Sequence, residues 1–319
     1  MNTSRAAWLG IATLMAALPA AAQETYLLIV TGLGGEPKYS DQFHEWASSL
    51  QSAAEKKGGI PRANITYLGE KPEREPALID GRSTREGVEQ ALAKIAVKAR
   101  PGDTVAIVLF GHGSALSGES RFSLPGPDIA APDLLRLLQP FAAQRVVFVN
   151  AASASGDFLK PLLGKNRIVV TATKSGLERN ESIFGEYFAE AFAADVADLD
   201  KDGRVSIFEA FLYAQKQVAQ AYEKSNRLQT EHAVLDDGEK GDLARATFLG
   251  GGIRSAEALS GDPKLVALEK ERRGLEDRVE ALLAQKQALA PDVYEKELER
   301  LLLELATKSE AIRAAKGGK

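Results

Sequence analysis

The chain contains no cysteine, and it has only three histidines, two methionines and two tryptophans among 319 residues. Without cysteine there can be no disulfide, no thiolate metal ligand and no thiol nucleophile. Its histidines, His44, His112 and His232, are too few for a histidine-based metal constellation. Past residue 22 no stretch reaches the roughly 20 apolar residues that a membrane-spanning helix needs. A basic surplus is missing too. The 40 Lys and Arg against 44 Asp and Glu leave a formal charge of −4, which argues against a nucleic-acid partner. What remains is an apolar content of 45% and a charged content of 26%, ordinary for a globular protein.

Residues 1–22 read as a secretory signal peptide. Arg5 is their only charge, Ala6 to Leu18 form an apolar core, and Ala20-Ala21-Ala22 before Gln23 fit a small-residue cleavage site. Loss of Arg5 takes the charge from −4 to −5. The mature protein is expected to be exported, periplasmic or secreted, with no transmembrane segment after cleavage. Lacking disulfides, it must rest on its hydrophobic core, with metal ions as a further means of stabilisation.

From residue 23 to 226 strands and helices alternate. Tyr26–Val30, Asn64–Leu68, Val105–Phe110, Arg145–Asn150 and Arg167–Ala172 are apolar runs of strand length. Between them, Phe43, Trp46, Ala47 and Leu50 recur at helical spacing. Ser83-Thr84-Arg85-Glu86 reads as a capping box before Val88, Leu92 and Ile95. Pro132–Phe141 reads as a connecting helix, and Asn180 as the cap of a helix carrying Phe184, Phe188 and Phe192. This alternation predicts an α/β, three-layer sandwich with a mostly parallel sheet and right-handed crossovers. Ligands bind such sheets at the carboxyl ends of the strands. Two of those ends stand out: Gly111-His112-Gly113, and Ala151-Ala152-Ser153-Ala154-Ser155-Gly156. If their strands are neighbours, both face one cleft. Arg121 to Pro127 reads as a short flap or turn beside it. His44 reads as a packing or surface histidine, while His232 could border the cleft or the acidic loop described below.

These pieces resemble the caspase–legumain clan of cysteine peptidases. The likeness rests on His112-Gly113, Ser153 to Gly156, Thr171-Ala172-Thr173, Phe184-Gly185-x-Tyr187-Phe188 and Ser83 to Glu86. It implies the caspase-like fold, with His112 as the catalytic histidine, Gly113 as a backbone oxyanion donor and Ser153 at the place of the cysteine. Such donors are main-chain groups and survive the substitution. Nucleophilicity does not. A serine hydroxyl needs an adjacent base whose ring is held by a third group, and no carboxylate stands beside His112 in sequence. Three readings follow. The cleft binds a peptide or protein partner without catalysis; or Ser153 and His112 form a serine-dependent peptidase or acyl hydrolase; or His112 is an exposed loop histidine and Ser153 and Ser155 merely cap a helix.

Asp198-Leu-Asp200-Lys-Asp202-Gly203-Arg204-Val205-Ser206-Ile-Phe-Glu209 matches the EF-hand calcium loop. Acids stand at places 1, 3, 5 and 12, glycine at 6 and an aliphatic residue at 8. Asp198, Asp200, Asp202, the Arg204 carbonyl, Ser206 and Glu209 are the expected ligands of a structural Ca²⁺. A solvated acidic turn is the alternative. Asp236 to Asp242 is acidic as well but lacks the spacing.

Residues 227–262 show no sustained periodicity and read as a partly disordered linker. Beyond them Leu268, Leu275, Leu282 and Leu289 recur every seven residues, with Val279 between. After Pro291, Leu298, Leu305 and Ile312 do the same, with Leu302 between. Residues 263–319 are therefore expected to form a helical hairpin of coiled-coil type, either self-contained or an arm for self-association.

Overall fold

The computed structural model describes residues 23–116, 119–250, 263–284 and 289–317. The signal-peptide expectation falls on residues 1–22, outside the described residues. The strands are β1 (Thr25–Thr31), β2 (Ile65–Gly69), β3 (Gly81–Arg82), β4 (Thr104–Phe110), β5 (Gly113–Leu116), β6 (Glu119–Phe122), β7 (Ile129–Ala130), β8 (Arg145–Asn150), β9 (Arg167–Thr171) and β10 (Val234–Asp236). The helices are α1 (Pro37–Lys56), α2 (Arg85–Lys98), α3 (Ala131–Leu137), α4 (Leu159–Leu162), α5 (Phe184–Ala193), α6 (Ile207–Lys224), α7 (Asp242–Arg245), α8 (Pro263–Ala284) and α9 (Pro291–Gly317).

Seven strands form one sheet in the order β10-β9-β8-β4-β1-β2-β3. All its pairs are parallel except β9 with β10. Every residue of β1 and β4 is buried, as expected of central strands covered on both sides. Side chains alternate between two cores. Leu27, Ile29, Ala106, Val108, Val147 and Val149 pack against α1, α5 and α6. Tyr26, Leu28, Val105, Ile107, Val146 and Phe148 pack against α2, α3 and α4. The architecture is thus α/β, with helices on both faces of a mostly parallel sheet.

The five strands read from the sequence are all present. Two helix starts differ from expectation. Thr84, not Ser83, caps α2, its hydroxyl accepting from Gly87 N–H at 3.1 Å. The cap of α5 is not Asn180. Ile183 holds the cap position, and the first amides are satisfied by a distant carboxylate, Glu231. Part of the expected linker is also ordered into the domain. Val234–Asp236 pairs antiparallel with Thr171–Val169, because Leu235 can bury part of its side chain against the α1-side core. Residues 251–262 of that segment lie outside the described residues.

Leu275, Val279 and Leu282 of α8 are buried with Tyr294, Leu301 and Leu305 of α9. The two helices run antiparallel. Arg278 pairs with Glu297 at 3.7 Å and with Glu304 at 3.8 Å, while Lys308 reaches back to Glu271 at 2.5 Å. Much of the leucine stripe is therefore used within the chain.

Candidate functional site

β4 and β8 are neighbours in register Leu109↔Asn150, so the segments leaving them emerge side by side. Phe110 is the last residue of β4. After the break at Gly111-His112 the chain turns into β5, which pairs with β6 and through it β7 in a separate small sheet. Arg121 and Phe122 of the expected flap are strand residues here. The Phe122 ring lies so close to Gly111 and Gly32 that a Cβ at either would stand about 3 Å from it (2.9 and 3.0 Å).

Ser153 lies against Gly113. Its hydroxyl donates to the Gly113 carbonyl at 3.1 Å and accepts from the Gly113 N–H at 3.2 Å. Both hydroxyl functions are thereby committed to one backbone residue, and the side chain is only 4% exposed. Ala154, next in the chain, has φ +51°, a left-handed conformation costing about 1–2 kcal/mol for a residue with a Cβ. A network of hydroxyls holds this turn. Thr173 Oγ1 accepts from Gly156 N–H at 3.0 Å, and Ser155 Oγ accepts from Thr173 N–H at 3.2 Å. Glycine is required at 156 because a Cβ would stand 2.1 Å from the Ser175 nitrogen. Ala154 N–H donates to the Glu178 carbonyl at 2.7 Å, and the Glu178 carboxylate accepts from His232 Nδ1 at 2.6 Å. His232 thus borders the cleft rather than the acidic loop. Burial alone would raise the Glu178 carboxyl, but hydrogen bonds from Lys174 and His232 hold it below its usual value.

His112 directly precedes Gly113 in the chain, and its ring is seated against α1. Its ring packs edge-on against Tyr39 at 4.6 Å and Phe43 at 5.1 Å, both on α1. Among the described residues no hydrogen bond joins the imidazole to Ser153. Burial pushes the His112 pKa down, opposed by Glu181, the Gly34 backbone and Glu36. The neutral ring is therefore favoured in the folded protein. A depressed histidine pKa adds stability that is complete above the unfolded value near 6.5 and is lost on acidification through the folded value. In a proton NMR titration the His112 ring signals should have a midpoint below 6.5, and Phe43→Ala should return that midpoint toward the ordinary value. With only three histidines in the chain the assignment is tractable. His44, by contrast, is a packing residue, its ring nitrogens within 3.0 Å of Tyr67 Oη and of Glu75.

The acidic loop forms a second cluster, between α5 and α6. Carboxylate oxygens of Asp198, Asp200 and Asp202 lie within 4.8 Å of one another. Asp198 accepts from the N–H groups of Asp202 at 3.0 Å and Gly203 at 2.9 Å, and Gly203 takes the positive φ of +86° that the turn requires. Glu209 and Ser206 form a capping box at the start of α6. Glu209 Oε1 also accepts from the N–H groups of Leu199 at 3.0 Å and Asp200 at 3.2 Å. Burial, with Asp200 and Asp202 close by, pushes the Glu209 carboxyl up to about 8. Five of the six expected ligands thus fall into two groups: three aspartates that converge, and Ser206 with Glu209, which are bonded to each other. Arg204 leaves its guanidinium over the Phe248 ring at 3.8 Å.

Three further participants carry no sequence signal of their own. Glu231, Glu178 and Arg272 act through tertiary contacts that bring distant segments of the chain together. Scanned against protein-family models and against curated proteins, the chain matches none.

Proposed function

We propose that this is an exported protein of caspase–legumain-like fold that binds an extended peptide or partner segment across the β4–β8 strand ends without cleaving it. The observation that carries the reading is the state of Ser153. Its proton is given to the Gly113 carbonyl rather than to an imidazole, and its oxygen occupies the N–H expected to stabilise an oxyanion. Nucleophilic attack would require both bonds to be given up and His112 to leave its aromatic neighbours.

The groove offers contacts for a ligand instead. Following the sheet order β9, β8, β4, β1, the strand ends present Leu177, Ser153 with Gly113, His112, and Leu33. Leu177 is 81% exposed and Leu33 41%, apolar points on either side of the polar centre. Glu181, half-exposed beside Tyr39 and His112, favours a ligand carrying a basic residue. An array of extended peptides should show binding that Leu177→Asp abolishes.

The serine-hydrolase reading keeps one supporting observation, the left-handed turn at Ala154 directly after Ser153, a feature of strained nucleophile turns. A fluorophosphonate probe followed by intact-mass analysis decides between them. No adduct is expected. An adduct on Ser153 that disappears in His112→Ala would establish the hydrolase.

The acidic loop is proposed to hold one structural Ca²⁺. The donor set fits the ion: oxygen ligands only, three converging carboxylates and a nearby fourth. Chelator should lower the melting temperature of the calcium-loaded protein by a few degrees, and Asp198→Ala should remove that response. A wild-type melt indifferent to chelator would exclude the ion as a stabiliser. The leucine stripe between α8 and α9, closed within the chain, supports a self-contained arm over a dimerisation arm. Among the described residues no helix is long and apolar enough to cross a membrane.

A further inference from the structure

The pair α8–α9 does more than pack on itself. It is fastened to the α/β body at the acidic loop. Arg272, on α8, is hydrogen bonded to Asp200, the third position of that loop. It also bonds Glu276 at 2.6 Å. Glu276 in turn pairs with Arg245 of α7 at 3.2 Å, and the Arg245 guanidinium lies over the ring of Phe208 on α6 at 3.9 Å. Leu199, the second position of the loop, packs into the apolar cluster of α8 and α9. The chain Phe208–Arg245–Glu276–Arg272–Asp200 is buried throughout, with Arg272 7% and Asp200 2% exposed. A cation supplied from 72 residues away therefore already sits on one of the three converging carboxylates.

We infer that Arg272 and a divalent cation compete for Asp200, so that filling the loop unlatches α8–α9 from the body. This rests on the calcium reading above. A cation at the centre of the aspartates must take an Asp200 oxygen, and it places two positive charges next to a buried guanidinium. In a site shielded from water that repulsion is strong, and Arg272 loses a charge-assisted hydrogen bond at the same moment. Glu276, which Arg272 shares with Arg245, then takes more of the compensation. The linkage is reciprocal: whatever factor the docked hairpin takes from cation affinity, the cation takes from hairpin docking. The loop is then both ligand site and fastening, and the cation sets the position of the arm.

The absence of native cysteine makes the test direct. Spin labels on Leu228→Cys and Leu303→Cys, both at exposed leucines, report the distance between body and arm in the full chain. Ca²⁺ affinity is measured by calorimetry on the wild type, on Arg272→Gln and on the control Arg278→Gln, whose arginine pairs with Glu297 and Glu304 of the hairpin. Arg272→Gln is expected to bind Ca²⁺ about tenfold tighter or more, with Arg278→Gln unchanged, and Ca²⁺ should lengthen and broaden the label distance in the otherwise wild-type chain. Binding seen only in Arg272→Gln supports the same conclusion in its strongest form. Equal affinities in wild type and Arg272→Gln with a constant label distance would overturn the latch and leave the calcium site standing. No binding to any of the three would overturn the calcium site, and the latch with it.

Discussion

Glu231→Ala should lower the free energy of unfolding by about 3 kcal/mol, the largest effect expected of any single side chain near the groove. Glu231 is 1% exposed. It accepts from Ser182 Oγ at 2.6 Å, from Ile183 N–H at 2.9 Å, from Phe184 N–H at 3.2 Å and from Tyr222 Oη at 3.5 Å. Its removal strands the first amides of α5 in a buried place, where each orphaned donor costs roughly 1–3 kcal/mol. It also deletes the acceptor at the positive end of a helix dipole. Glu231→Gln keeps an acceptor oxygen and should lose only about 1 kcal/mol. The two variants separate further with pH. Burial pushes the Glu231 carboxyl up, so the folded state holds its proton more tightly than the unfolded one does. The resulting contribution is complete below the unfolded value near 4.3 and is lost as pH rises through the folded value. Urea titrations followed at 222 nm across that range should show the wild type weakening with pH and Glu231→Gln following a flatter curve. An Ala variant within 1 kcal/mol of wild type would show that water satisfies those amides instead.

That Glu231 went unread in the sequence shows where such reading stops. The strands were legible because a central parallel strand is apolar at every position, and Tyr26–Val30 and Val105–Phe110 admit no other placement. α1 was legible from its apolar spacing. Glu231 has no such frame. It lies 48 residues from Ile183, in a polar stretch with no period. The strand that anchors the stretch, Val234–Asp236, spans three residues, too few for alternation to show. Arg272 fails for a different reason. On a helix dense in Glu, Lys and Arg it looks like one more solvated charge, and only the fold brings Asp200 to it. At the groove, the two strand ends were legible one by one, and the fold supplies their adjacency. Side-chain direction was not legible, since it depends on Tyr39 and Phe43 offering the His112 ring an aromatic seat.

The second large effect is expected at Gly113. A Cβ there would stand 2.2 Å from the Ser153 carbonyl oxygen and 3.1 Å from that of Arg121. Both obstacles are main chain, so no rotamer change relieves the contact. The turn after β8 must move away from β5, and the two Ser153–Gly113 hydrogen bonds stretch with it. Overpacking of this kind costs roughly 1–3 kcal/mol, and the lost bonds add about 1 kcal/mol. Gly113→Ala should therefore melt several degrees below wild type, given about 2–4 °C per kcal/mol for a chain of this size class. Ser153→Ala removes only the hydroxyl and should cost about 1 kcal/mol. The order of the two melts distinguishes the causes. If Ser153→Ala proves the more damaging, the hydroxyl rather than the close approach of backbones organises the groove. If Gly113→Ala is the more damaging and also abolishes peptide binding while Ser153→Ala leaves it intact, the groove works through its main-chain geometry. That outcome is what the proposed non-catalytic peptide groove requires.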